Sequence, residues 1–572
     1  MNKKTYLLII FTFLFLTIAY SGILLTDWNT LPFGGGDLYP YLNWIQHDIQ
    51  QLRQGELPIY NDQIYCGNYP EYISPLSGIW YPPIFIIFNL FSESIAYRLF
   101  ILFHVALSAI SFWILSKTFS SDKYIRLFGS LTYSSSGIAL WLLSWGPMDM
   151  FAAYALLPLF LHFLSRSIEK NSWKEGIKAG TILGLIGLAG AWYAIYWGIF
   201  VAFIIMGFSY FRKRKTLNLK AIIGLSISFL IIIGWKIASI FIYQIEMIRN
   251  NVHRGAVPVL EVVERTINPY ELVVHHVPGP LSPEYISLGL IILALAVVGV
   301  TALRWHWAVL SMFFFLIYSQ EYGNILNDII LTFGLTGFFP DMERAIIMLN
   351  LFLILLAVSG LDSLIKKKEH DFAISFIFAF AVIEFAAVMF IFSLQLFPSI
   401  GTVFLAVTVV VTSIYLFFTS NSLNKTKFIA GISLFGSLLI FTIMMNSFPQ
   451  EIPAYSEEKN QIANKVIAET HNDWIFLSKE VYIDGLLTHE MLKEGGRIVN
   501  PYNGYHFEND FSCGKYYLGK SNTFEEHAEV YFQYKNPESY HVNLEPIKDI
   551  GSQWRLYKVN RVLIKNRNVE FN

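Results

Sequence analysis

Long apolar runs separated by short polar segments fill the first 447 residues of the chain. A run of about 20 apolar residues is long enough to cross a bilayer as a helix. The fold class that this pattern predicts is mainly α, a polytopic helical membrane protein. Windows of that length predict about 13 membrane spans, at residues 5–26, 97–116, 124–145, 150–166, 176–191, 193–211, 220–243, 286–303, 305–319, 344–363, 371–394, 401–419 and 427–447.

The polar parts of the chain are the first loop, the predicted external segments 245–285 and 320–343, and the C-terminal region. The first loop, residues 27–96, is long and rich in aromatic residues, and from residue 448 onward the apolar runs end. In this last region a helical start at residues 457–470 precedes the alternating stretches AEVYFQYK and QWRLYKVNRVLI, a period typical of strands. We therefore expect a transmembrane domain at 1–447 and a small C-terminal α+β domain at 448–572.

Composition supports the membrane assignment and argues against one class of partner. Hydrophobic residues make up 54% of the chain, charged residues only 15%, and the mean hydropathy is +0.47. The hydrophobic fraction is higher, and the charged fraction lower, than in typical soluble proteins. The net charge is −1 and no basic stripe is interleaved with aromatic residues, so we expect the lipid bilayer and no nucleic acid as a partner.

Clusters of Lys and Arg predict the orientation of the spans. They lie on one side of the predicted membrane, as at residues 117–126, 166–178, 212–215 and 366–368. The positive-inside rule makes that side cytoplasmic, so the N-terminus is inside, and the first loop and the C-terminal domain are external. The alternative for the first span is a cleaved signal peptide; we favour an uncleaved helix because the apolar run Tyr6–Leu25 is long for a signal.

The first loop begins with a predicted amphipathic helix, in the stretch YLNWIQHDIQQLRQG from Tyr41. Its apolar and polar residues fall on opposite faces, Leu42, Ile45, Ile49 and Leu52 on one and Asn43, Gln46, Gln50 and Arg53 on the other. Such a helix is typical of the water–lipid interface. A Pro-, Gly- and aromatic-rich stretch follows, and IWYPPIFIIFNLF is predicted to dip into the interface without crossing it.

Asp37 stands immediately before this helix, in the stretch LPFGGGDLYPY. Gly34–Gly36 permit unusual backbone dihedrals and a close approach to another molecule. The carboxylate is thus presented at the membrane surface beside an ordered loop. The alternative is that Asp37 only caps a helix beginning at Leu38, which requires no substrate.

Several motifs together resemble the bacterial YfhO-type membrane proteins, within the GT-C glycosyltransferase superfamily. They are GGGDLYPY, GELPIYN, CGNYP, SPLSGIWYPP, the Leu157–Pro158 pair and the helix ERAIIMLNLFLILLAVSGLDSL, within residues 1–365; Cys66 stands where that pattern has a glycine. The resemblance implies a multi-pass protein of the bacterial cytoplasmic membrane. It also implies transfer of a sugar from a polyprenyl-phosphate-linked donor to a cell-surface glycan or polymer, with Asp37 at the catalytic centre.

The chemistry of such a transfer suits a single carboxylate. A sugar hydroxyl is a poor nucleophile, and Asp37 can accept its proton while it attacks the anomeric carbon. Direct displacement with one base predicts an inverting glycosyltransferase. The departing lipid phosphate needs a cation, for which Arg344, after GFFPDME at the external end of a span, is the best placed; the alternative is a snorkelling anchor.

Other residues are assigned by position and residue type. Asp149, in the short external loop SWGPMDM, either orients the acceptor or assists a metal, or else caps the following span. A divalent metal is compatible with the reaction but not required, so the cofactor is left open. Intramembrane Lys236 and Glu384 are substrate-site candidates or a structural pair. The loop histidines His275 and His276 bind substrate or a metal, or else belong only to the loop surface. The aromatic residues Trp44, Tyr60, Trp80 and Tyr81 stack on sugar rings or else serve interfacial packing.

Three questions stay open at this level. Cys66 and Cys513, both predicted external, either pair or remain free thiols. A lipid-linked sugar flippase or transporter would share the spans, the intramembrane charges and the phosphate site, but would not need a reactive carboxylate. A non-catalytic scaffold that displays the C-terminal domain would not need Asp37 at all.

Overall fold

A computed structural model defines the architecture. It describes residues 12, 14–17, 19–24, 26–28, 31–32, 38–58, 60–61, 69–70, 78–212, 218–249, 290–302, 307, 309–310, 346–366, 453–470, 474–477, 491, 497–498, 514–520, 527–529, 540–550, 554–564 and 567–570. The helices within these residues are α1 (Ser21–Leu24), α2 (Leu38–Arg53), α3 (Pro82–Leu90), α4 (Glu93–Ser116), α5 (Lys123–Ser134), α6 (Gly137–Trp145), α7 (Met148–Lys170), α8 (Trp173–Leu188), α9 (Trp192–Arg212), α10 (Leu219–Arg249), α11 (Leu290–Ala302), α12 (Ile346–Lys366) and α13 (Pro453–Thr470).

Five of these helices are long and apolar enough to cross a membrane, namely α4, α7, α9, α10 and α12. Their positions agree with five predicted spans, because hydropathy over a window of this length is a direct measure of the cost of burying a helix in lipid. The chain is therefore a multi-pass membrane protein. The predicted spans at 371–394, 401–419 and 427–447 lie outside the described residues, so the total of about 13 and the orientation of the termini stay predictions.

The predicted span 124–145 is wrong as a single helix. It consists of α5 and α6, which are separated at Ser135 and Ser136. The Ser136 hydroxyl accepts from the Ala139 backbone N–H at 3.2 Å, and the Ser135 hydroxyl donates to the Leu131 carbonyl at 2.7 Å. A helix break inside a membrane is tolerated only where such groups satisfy the released backbone. Hydropathy did not reveal the break because serines interrupt an apolar run only weakly.

The short helices at either end of the first loop match their predicted patterns. In α2, Leu42, Ile45 and Ile49 are buried, whereas Gln50 and Arg53 on the polar face are exposed. Helix α3 has nine residues and rises about 13.5 Å, too little to cross a bilayer. The loop between them contributes the paired strands β1 (Tyr60–Asn61) and β2 (Tyr69–Pro70).

Helices α8 and α10 approach each other so closely that glycine is required between them. Gly176, Gly180 and Gly184 recur every four residues along one face of α8. A Cβ atom at Gly180 would lie 2.1 Å from the Leu225 carbonyl oxygen of α10. Small residues at this spacing allow membrane helices to pack backbone against backbone.

The C-terminal region contains a mixed sheet. Its strands are β3 (Trp474–Leu477), β4 (Arg497–Ile498), β5 (Gly514–Lys520), β6 (His527–Glu529), β7 (Tyr540–Ile550), β8 (Trp554–Ile564) and β9 (Arg567–Glu570). They are ordered β4-β3-β5-β8-β7-β6, with β9 against β8; β3 and β5 are parallel, and β7 and β8 antiparallel. Helix α13 includes the helical start predicted at 457–470, and β8 falls in the predicted strand QWRLYKVNRVLI. An external domain at 448–572 stays a prediction.

Candidate functional site

The start of the first loop is joined to the first turn of α7 by a buried hydrogen bond. The phenol of Tyr41, in the first turn of α2, donates to Asp149 Oδ1 at 2.5 Å. Tyr41 is 4% exposed and Asp149 1%. The two residues are 108 positions apart in the chain, and no local pattern could have paired them. The Asp149 carboxylate is therefore oriented by the loop that contains Asp37.

Asp149 lies in the first turn of α7, but it is not the residue that caps the helix. Pro147 occupies the N-cap position and supplies no side-chain hydrogen bond. The prediction that Asp149 is the N-cap residue of this helix is therefore wrong. A carboxylate in the first turn is still stabilised by the positive end of the helix dipole.

A second contact joins the same two segments through the backbone. Gly146 ends α6 in the left-handed region, with φ at +83°, and a Cβ there would lie 2.5 Å from the Leu38 Cβ. Only glycine meets both the dihedral and the contact. Leu38 is the first residue of α2, as the capping alternative for Asp37 requires. Asp37 itself lies outside the described residues, so its two roles stay predictions.

The end of the first loop contacts the predicted intramembrane lysine region. Trp80 packs edge-on against Trp235 of α10, with ring centroids 5.7 Å apart. The next residue, Lys236, is fully buried, and its ammonium lies 5.9 Å from the centroid of the Trp192 ring at the start of α9. Cation–π attraction stabilises a charge at this distance. Trp80 and Lys236, proposed separately from the sequence, thus lie on neighbouring elements.

Tyr81 is an anchor of the first loop rather than an open aromatic platform. It is 2% exposed, and its phenol donates to His104 Nε2 at 2.9 Å. The acceptor role of Nε2 follows because His104 Nδ1 donates to the Phe100 carbonyl at 2.7 Å. Burial raises the pKa of Tyr81 above its usual value. Stacking of Tyr81 on a sugar stays a prediction that requires this packing to open.

The sequence analysis missed three buried polar residues, Arg98, His104 and Asn350. Arg98 is buried and donates to the Ile23 carbonyl, to Thr26 Oγ1 at 2.7 Å and to the Asp27 carbonyl, so it holds the entry to the first loop. His104 and Asn350 are buried within long helices. The sequence signal that could have identified them is a single ionisable or amide residue inside an apolar run.

The other predicted site residues are not described. Arg344, His275, His276, Glu384, Cys66 and Cys513 lie outside the described residues, although the structure resumes at Ile346 in α12. Tyr60 is placed only through the backbone of β1, and Trp44 is 4% exposed within α2. Within the described part of the chain, no group of three His, Cys, Asp or Glu side chains could hold a metal ion.

Comparison with known proteins identifies the fold. ArnT from Cupriavidus metallidurans, solved with undecaprenyl phosphate bound, superimposes with a TM-score of 0.52 at 10% identity, covering 97% of this chain and 98% of that one. The arabinofuranosyltransferase AftD from Mycobacteria gives 0.49 at 11% identity, over 95% of this chain and 40% of its own length. The oligosaccharyltransferase AglB from Archaeoglobus fulgidus gives 0.41 at 11% identity, covering 90% and 70%. No family model and no curated protein matches the sequence.

The chain therefore shares the fold of ArnT over nearly the whole length of both proteins. At this identity the likeness establishes the fold alone. The specific assignment to YfhO-type proteins stays a prediction from the motifs.

Proposed function

We propose that this protein is a membrane glycosyltransferase that uses a polyprenyl-phosphate-linked sugar as donor and a cell-surface glycan or polymer as acceptor. The observation that carries the proposal is the Tyr41–Asp149 hydrogen bond of 2.5 Å, which joins the Asp37 loop to a second, buried carboxylate. The fold shared with ArnT, which was solved with undecaprenyl phosphate bound, supports the donor class.

In the proposed reaction, Asp37 is the general base. The acceptor hydroxyl oxygen forms a bond to the anomeric carbon of the donor sugar while its proton passes to the Asp37 carboxylate. The bond from the same carbon to the phosphate oxygen breaks, and the polyprenyl phosphate leaves with the electron pair. Attack opposite to the leaving group inverts the anomeric configuration.

Asp149 orients the acceptor in this proposal. Its Oδ1 accepts a hydrogen bond from Tyr41, and in the reaction the carboxylate accepts a second one from a hydroxyl of the acceptor sugar. A divalent metal, if one is used, would take an oxygen ligand from Asp149, the donor type that Mg²⁺ and Ca²⁺ prefer. The reaction as written needs only the carboxylates and the cations.

Arg344 and Lys236 stabilise the lipid phosphate in this proposal. Helix α10 begins at Leu219, and Lys236 lies about 25 Å further along it. A bilayer core that begins at Leu219 therefore ends close to Lys236. Its charge is buried beside Trp192, and a buried cation binds an anion more strongly than one in water does. Arg344 can add a two-point contact to a phosphate.

The testing experiment compares surface glycans and lipid-linked sugars in cells with the protein, without it and with Asp37→Asn. An enzyme with Asp37 as base should lose a surface sugar in the deletion and in Asp37→Asn, with transfer reduced about 100-fold or more. The donor should accumulate on the lipid carrier. A flippase should still deliver its lipid with Asn at this position, and normal surface glycosylation by well-expressed Asp37→Asn protein would refute the catalytic assignment.

A further inference from the structure

Three basic side chains converge at the end of the bundle that the positive-inside rule assigns to the cytoplasm. Lys117 directly follows α4, Arg166 is in α7 and Lys178 is in α8. His162 lies one turn before Arg166 in α7. We refer to these four residues as the basic cluster. It involves none of the residues proposed for sugar transfer, and its function does not depend on that proposal.

One carboxylate partly neutralises the basic cluster. Glu175 Oε1 lies 3.2 Å from Lys178 Nζ and 3.7 Å from Arg166 Nη2. Lys117 makes no ion pair within the described residues. Three permanent cations against one carboxylate leave an excess of positive charge where the helices emerge from the membrane. Such an excess attracts an anion.

Two buried polar atoms beside the cations have no partner. His162 Nδ1 and Ser165 Oγ, in the same turn of α7, make no hydrogen bond within the described part of the chain. Each residue is 7% exposed. Buried polar groups are nearly always hydrogen-bonded, so this pair indicates a bound group that supplies the missing partners. A hydroxyl and an imidazole are donors that suit phosphate oxygens.

The level of the basic cluster in the membrane favours a lipid over a free anion. Trp173, at the start of α8, is 53% exposed, as is typical of a tryptophan at the membrane–water interface. The Lys178 ammonium lies 5.2 Å from the centroid of the Phe163 ring, so its charge is next to an apolar surface. Phospholipid phosphates lie at the same level, and basic pockets between helices bind anionic headgroups.

We propose that the basic cluster binds the phosphate of an anionic phospholipid, with Arg166 and Lys178 pairing with its charge and with Ser165 and His162 hydrogen-bonding its oxygens. The bound lipid bridges α7 and α8 and lies against the Lys117 end of α4. Arg166 and Lys178 are 40% and 52% exposed at their side chains, so a headgroup can reach them from the lipid phase.

The test uses the full-length protein in nanodiscs or mixed micelles, with phosphatidylglycerol and phosphatidylcholine as probes. Native mass spectrometry counts the lipids retained, and thermal unfolding measures the stabilisation that they produce. Wild-type protein should retain phosphatidylglycerol with about 10-fold preference or more. The double variant Arg166→Gln/Lys178→Gln should lose most of this preference, and Ser165→Ala should reduce it without any change in charge.

The matched control is Lys170→Gln/Lys174→Gln, which removes two positive charges from the same end of α7 and α8 outside the basic cluster. It should keep the preference. An equal loss in both double variants would show general attraction to anionic lipid and overturn the proposal, as would a wild-type protein with no preference. Equal stabilisation by millimolar inorganic phosphate would assign the site to a free anion instead. If the double variant does not fold, Ser165→Ala decides the matter, because it removes a hydrogen-bonding group of the site without any change in charge; an unchanged preference in Ser165→Ala would then overturn the proposal.

Discussion

Asn350 of α12 donates its amide N–H to the phenol oxygen of Tyr154 in α7, at 2.9 Å, and to the Ser136 hydroxyl at 3.2 Å. Tyr154 also donates to the Tyr133 carbonyl at the end of α5, so the helix break is held from two sides. All of these side chains are buried. Asp149 precedes Tyr154 by about 7.5 Å along α7, and α12 begins about 6 Å before Asn350. The hydrogen bond therefore sets the relative height of the two helix starts.

Removal of this hydrogen bond should destabilise the protein. Asn350→Leu leaves the Tyr154 and Ser136 hydroxyls without their amide partner, and interhelical hydrogen bonds in membranes contribute about 0.6–2 kcal/mol. Tyr154→Phe removes the phenol oxygen but keeps the ring that stacks on Tyr133 at 4.2 Å. Unfolding in detergent of both single variants and the double variant gives a double-mutant cycle. The double variant should lose less stability than the sum of the single variants, and additivity would show that the bond contributes nothing.

Variants of Asp149 and Tyr41 separate orientation from charge. Asp149→Asn can still accept the Tyr41 hydrogen bond, so a purely structural Asp149 should tolerate the change with full activity. If Asp149 binds the acceptor through its negative charge, transfer should fall by about 10-fold or more at normal protein levels, since a hydrogen bond to a charged group contributes about 1.5–3 kcal/mol.

Tyr41→Phe completes this comparison. It leaves the Asp149 charge intact but frees its orientation, and it should raise the KM for the acceptor more than it lowers kcat. Tyr97→Phe, at another fully buried tyrosine, is the control for loss of a phenol oxygen as such. The kinetics are measured with a lipid extract that contains the polyprenyl-phosphate-linked sugar. If wild type, Asp149→Asn, Tyr41→Phe and Tyr97→Phe all gave equal kinetics, a role for Asp149 in acceptor binding would be contradicted.

Substitutions at Arg344 test the phosphate contact. Arg344→Ala should weaken use of the lipid-linked donor, seen as a higher KM for it, whereas Arg344→Lys should recover only part of the loss because an ammonium lacks the planar two-point contact of guanidinium. An interfacial anchor would predict a different result: Lys would replace Arg fully, and Ala would change protein level rather than donor use.

The glycine contacts between α8 and α10 predict opposite effects of the same substitution at two positions. Gly180→Ala should cost about 1–3 kcal/mol of stability, because its Cβ would lie 2.1 Å from the Leu225 carbonyl and from the Ser228 hydroxyl. Gly207→Ala in α9 meets no atom within 4 Å and should be neutral or stabilising through helix propensity. Thermal unfolding of the two variants measures both signs. A neutral Gly180→Ala would mean that the helices can separate without cost.

The sequence by itself determined the features that depend on local composition. Helices α4, α7, α9, α10 and α12 were predicted close to their observed bounds, because an apolar run of spanning length has no alternative in lipid but a helix. The buried and exposed faces of α2 followed from residue spacing, since a helix repeats every 3.6 residues. That α3 does not cross the bilayer followed from the shortness of its apolar run and from the two prolines at its start.

Tertiary structure alone decided which of these elements meet. The Tyr41–Asp149 and Tyr81–His104 hydrogen bonds join residues 108 and 23 positions apart, and no periodicity links such pairs. The break between α5 and α6 also depends on distant groups, because its cost is offset by the Tyr154 phenol and the Asn350 amide, which belong to other helices. Hydropathy measures how each segment interacts with lipid. It contains no information about which buried polar group will satisfy another.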